Sequence, residues 1–138
     1  MENLTFLFFC IPWVIYFFFV YLHQKEKIKD LPKKRQDLTK EEFINHFKSK
    51  SYDENIVTEF YAEIEYSLPE NFLLHPNDNL ENDYFIHSED IDEYFEVYFE
   101  KLYSEKPSRE FYDDFHKIKK PEPTFEYFFE MLFSYKKP

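Results

Sequence analysis

Across 138 residues this chain contains no glycine. Glycine enters left-handed backbone without steric cost, so its absence argues against Gly-rich phosphate loops, primed hairpin turns and any fold with many residues at positive φ. Helices joined by polar, proline-containing loops remain. The length allows one small domain beside an N-terminal segment of different character.

That segment, Leu4 to Leu22, reads LTFLFFCIPWVIYFFFVYL, with Thr5 polar and no charge. At about 1.5 Å per residue a helix of this length covers roughly 28 Å, close to the hydrocarbon thickness of a bilayer. The expectation is a transmembrane anchor in residues 1–23, inserted through residues 4–22. A cleaved signal peptide would begin with a basic stretch, whereas this chain begins Met-Glu-Asn. Pro12 is a place for a kink, which helices in lipid tolerate. Lys25, Lys27, Lys29, Lys33, Lys34 and Arg35 all follow the apolar run. Positive flanks stay in the cytoplasm, so the expected placement is a single-pass membrane protein with its C-terminal domain cytoplasmic. The one cysteine, Cys10, lies in the apolar run and leaves no intrachain disulfide to form.

Charge divides the chain further. Residues 1–22 carry Glu2 alone, and residues 23–35 hold six basic against two acidic side chains. Residues 36–138 therefore carry −14 of a formal total of −11. A basic juxtamembrane linker over 24–38 and an acidic helical domain over 39–138 follow. Such acidity repels nucleic acid and favours a basic protein partner.

Helical periods fill the acidic part. Thr39 with Glu42 three residues on is a capping-box pattern, and Phe43, Ile44 and Phe47 share a face behind it. These read as a short amphipathic helix; Ile56, Val57, Phe60, Tyr61 and Ile64 repeat the pattern until Pro69, as a second helix or as the main part of the first. Residues 67–87 hold neither period and read as a long loop pinned by Phe72, Leu73, Leu80, Tyr84 and Ile86; loops of that length are often functional. Ser88 then opens a helix with Ile91, Tyr94, Phe95, Tyr98, Phe99 and Leu102 on one stripe, and its hydroxyl is placed to cap the amide of residue 90 or 91. Ser108 caps a short helix with Phe111, Tyr112 and Phe115 inward. Thr124 caps a last one that buries Phe125, Phe128, Phe129 and Leu132.

This order, with the stretch NLENDYFIHSEDIDEYFEVYFEKL leading into and through the Ser88 helix, resembles acyl carrier proteins over roughly residues 51–135. A small group of uncharacterised bacterial acyl-carrier-like proteins, with the same EDID type of helix start and an aromatic third helix, is closer still. The resemblance implies an all-α, four-helix acyl-carrier-like bundle, here behind a transmembrane helix. Ser88 falls on the serine that bears phosphopantetheine in carriers, and Asp83 and Tyr84 fall on their Asp-Leu. Carriers have Asp-Ser-Leu with a preceding glycine, whereas this chain has His87 before the serine and Glu89 after it.

Two functions are therefore weighed. One is a non-catalytic module whose acidic residues Glu89, Asp90, Asp92, Glu93, Glu96 and Glu100 meet a basic surface of another protein, as the resemblance implies. The other is a genuine carrier with phosphopantetheine on Ser88. A metal site from His75, His87 and Glu89 matches no ligand spacing. No order of Ser, His and acid suggests a triad, so no catalytic or metal-binding residue is assigned.

Overall fold

The computed structural model describes residues 2–33, 35–119 and 123–135, and side chains at 10–32, 35–117 and 123–135. The side chains of residues 4–9 in the expected span, and of Lys33 and Lys34 in the basic flank, lie outside the described residues, as do Met1 and residues 136–138. Two compact units divide between Arg35 and Gln36.

The first unit is one long helix, α1 (Glu2–Asp30), followed by a 3-10 turn, Leu31–Lys33. Rings one turn apart meet along it, Trp13 with Tyr16 at 6.4 Å and with Phe17 at 6.2 Å. Among the described residues no helix is long and apolar enough to cross a membrane. The expected transmembrane anchor, the single-pass placement and the cytoplasmic orientation drawn from it are corrected accordingly. The physical reason is visible along the helix. Behind Leu22 it runs without a break into His23, Gln24, Lys25, Glu26 and Lys27, and its apolar part holds Pro12, Trp13, Tyr16 and Tyr21, which are less hydrophobic than aliphatic residues.

The second unit is all-α among its described residues. It holds five α-helices, one more than the expected four: α2 (Lys40–Lys48), α3 (Glu54–Tyr66), α4 (Ser88–Tyr103), α5 (Arg109–Lys119) and α6 (Phe125–Ser134). The additional one is α2, which stands apart from α3 because Ser51 turns left-handed, φ 66°, and Asp53 starts a new helix. Thr39 and Glu42 form the full capping box, with Glu42 N–H donating to Thr39 Oγ1 at 3.2 Å and Thr39 N–H to Glu42 Oε2 at 2.7 Å. The Thr39 backbone bond, then its hydroxyl, holds the Glu42 carboxyl below its usual range. Asp53 Oδ1 accepts from Asn55 and Ile56 at the head of α3, Ser108 Oγ from Phe111 in α5, and Thr124 Oγ1 from Tyr127 in α6.

The core is aromatic, and Phe60 sits at its centre. Its ring stacks on Phe128 at 4.5 Å and meets Tyr94, Tyr98, Phe125 and Phe129 edge-on. Phe95 extends the cluster to α5 by stacking on Phe115 at 4.0 Å. Edge-on and offset pairs each add about 0.5–1.5 kcal/mol beyond the area they bury. The stripe predicted for α6, Phe125, Phe128, Phe129 and Leu132, is buried throughout. Between α2 and α6, Glu126 accepts from Lys50 and contacts His46 Nε2 at 2.7 Å. Burial, then the Lys50 charge, lowers the His46 pKa.

Candidate interaction face

The long segment between α3 and α4 is held by its own polar atoms. Among the described residues of this unit, Asp78 and Asn79 are the buried polar ones. Tyr84 donates its hydroxyl to Asp78 Oδ2. Asn79 Oδ1 accepts from Glu81 and Asn82 at 3.0 and 2.7 Å, and its N–H donates to Asp83 Oδ2 at 2.8 Å. The backbone is also tied to the entry of α6: Leu80 N–H donates to Pro123 O at 2.8 Å and Glu126 N–H to Pro76 O at 2.9 Å. An isolated antiparallel bridge joins Asn79 to Thr124. The expected pins Phe72, Leu80 and Tyr84 are buried, while Leu74 takes the deep position expected of Leu73, and Ile86 is half-buried.

Phe85 leaves this loop in left-handed backbone, φ 59°. For a bulky residue that conformation costs about 1–2 kcal/mol. The cost is tolerated because the bonds around it, Phe85 N–H to Glu81 O and Ile86 N–H to Leu80 O, fix the chain on both sides. His87 follows in extended backbone at the cap of α4, with no side-chain cap bond, and Ser88 is the first helical residue. The expected serine cap is thus displaced by one position. The reason is that helical backbone begins at Ser88 itself, whereas a capping residue keeps extended dihedrals.

α3 and α4 run antiparallel. Lys101 Nζ reaches Glu59 Oε2 at 2.6 Å and, one turn back along α4, the Tyr98 hydroxyl reaches Glu63 Oε2 at 2.6 Å. On the α5 side His116 Nε2 lies 3.5 Å from Asp92. Burial, then Asp92 and Glu96, pushes the Tyr112 phenol up to about 12. Between these flanks Glu89, Asp90, Glu93, Glu96 and Glu100 are exposed, and Asp92 alone of the six expected acids is half-buried. Val97, 43% exposed, lies among them. Elsewhere in this unit lysines meet acids: Lys40 with Glu65, Lys48 with Glu54, Lys50 with Glu126, Lys101 with Glu59. Among the described residues the five exposed carboxylates of α4 have no such cation. Glu59, Glu63 and Val97 enlarge this face, and helical periodicity alone gave no sign of Glu63 or Glu59 beside it.

Ser88, His87 and Glu89 are all exposed at the head of α4. His75 turns instead into its own loop, its Nδ1 accepting from Asn77 N–H at 3.2 Å. Among the described residues no group of three or more His, Cys, Asp or Glu is arranged to hold a metal ion. No protein-family model matches the chain, nor does any curated protein or solved structure.

Proposed function

We propose that residues 36–138 form a non-catalytic interaction module of acyl-carrier type, which presents the acidic face of α4 to a basic surface on another protein. The observation that carries this reading is that, among the described residues, the five exposed carboxylates on α4 have no ion pair, while Lys40, Lys48, Lys50 and Lys101 each hold another acid. Keeping like charges together on one helix opposes folding by mutual repulsion. A cationic partner relieves that repulsion, and Val97 supplies an apolar centre inside the charged rim. The order of long loop, acidic helix, short helix and Thr-capped helix also fits the carrier resemblance.

The surroundings of Ser88 do not fit phosphopantetheine well. Its hydroxyl position is exposed, but Glu89 offers a carboxylate where carriers offer an apolar side chain, and desolvating that charge in a transferase site carries a cost of several kcal/mol. The test uses the full chain with Glu93→Lys, Glu96→Lys and Glu100→Lys together, compared with wild type in affinity capture from its own host. A partner retained by wild type, released as salt is raised and lost by the variant is the expected result. Equal capture by both would remove the acidic face from consideration. Intact mass of the same preparation checks the other function: a phosphopantetheine adduct abolished by Ser88→Ala would establish the carrier instead.

A further inference from the structure

Seven consecutive residues of α1, from Trp13 to Phe19, are exposed, and Ile11, Tyr21 and Leu22 join them. Successive helical residues turn by about 100°, so this surface is a sleeve around the helix. We propose that the chain assembles with copies of itself through α1, the helices running antiparallel in a bundle of more than two.

The area argues for association. At about 150–250 Å² per aromatic side chain, the six exposed rings, each open by 58–65%, present roughly 700 Å². Ile11, Val14, Ile15 and Leu22 raise this to on the order of 1,000 Å² per copy, above the ~800 Å² per partner of a standard interface. A helix apolar on every side is one that other elements surround. A single partner helix covers one stripe and leaves the opposite side in water, so the sleeve calls for several neighbours. Copies of α1 match it, because each brings an equivalent sleeve of aromatic and aliphatic side chains of the same length, and none of the described helices is long and apolar enough to cross a membrane.

Charge sets the direction. Lys25, Lys27 and Lys29 follow the sleeve at one end, and the −14 segment follows in the chain after them. Parallel packing would gather the lysines of all copies at the same end. Antiparallel packing separates them.

Sedimentation equilibrium of the full chain in aqueous buffer tests this, with Ile15→Glu and Phe17→Glu, which lie on opposite sides of α1, as separate variants. Ile15→Gln and Phe17→Gln serve if circular dichroism shows that the charge unwinds the helix. The expected result is several chain masses for wild type and a shift toward one chain mass in variants on either side. Loss through one side only would overturn the bundle in favour of a two-helix dimer. Unchanged mass in all variants would overturn α1 as the interface. A wild-type chain that is monomeric in buffer, or that is captured as a monomer on phosphatidylcholine vesicles, would overturn self-assembly. Ready oxidation to a Cys10–Cys10 dimer would overturn antiparallel packing of neighbouring helices.

Discussion

Tyr98 on α4 donates its hydroxyl to Glu63 on α3 across 2.6 Å, at the edge of the aromatic core and beneath the acidic face. Burial, and then the bond to Glu63, holds the phenol well above its usual value. Tyr98→Phe should therefore destabilise the protein by about 1 kcal/mol, the net worth of one such bond. Glu63→Gln should cost less, because its amide oxygen still accepts. Urea denaturation of both variants decides it, and equal losses would mean that charge rather than the hydrogen bond joins the two helices.

Phe60 meets rings from α4 and α6 at once. Phe60→Ala should cost about 3–5 kcal/mol, with a cavity that rings on several sides cannot all close. Phe60→Leu should cost distinctly less. If thermal melts ranked the two variants together, the stacked arrangement around this ring would carry little of the stability.

At the head of α4 the sequence and the structure differ by one residue, and the difference is measurable. His87 holds the cap position without a side-chain cap bond, so His87→Ser should stabilise by about 0.5–1 kcal/mol. Chemical denaturation of the His87→Ser variant decides it; no gain would mean that this cap position is served as well by histidine as by serine.

Stability should fall in strong base. Burial is the first cause that pushes Tyr112 and Tyr127 up to about 12, against a usual value near 10. The unfolded chain releases these protons first, so the stabilisation is complete below pH 10 and is lost as pH rises toward 12. Tyr127 also donates to Phe115 O at 3.3 Å. Melting temperatures from pH 8 to 11 should drop more gently in Tyr127→Phe than in wild type; identical curves would count against this linkage.

Much of the second unit is written in local patterns. Thr39 with Glu42, Ser108 and Thr124 are caps that side-chain chemistry announces, and the α6 stripe follows from spacing alone. What escaped is non-local. Asp78 and Asn79 are buried because residues 76–80 meet residues 123–126, a pairing that no short window contains. The left-handed residues escaped for a related reason: without glycine the chain uses Ser51, Asn71, Phe85 and Ser104 there, and only the surrounding bonds mark them. Of the candidate face, the six acids of α4 were visible in sequence. The flanking Glu59 and Glu63 required the antiparallel packing of α3, and the span expected in α1 did not hold, since among the described residues no helix is long and apolar enough to cross a membrane.

The bonds from Leu80 to Pro123 and from Glu126 to Pro76 also set an order of events during synthesis. A ribosome delivers residues 76–80 well before their partners, at about 5–20 residues per second. Until residues 123–128 emerge, the segment leading to Ser88 lacks its backbone partners and Phe60 lacks the ring stacked on it. The core and the loop therefore cannot close until α6 has been synthesised, about 2–9 s after residues 76–80 at that rate.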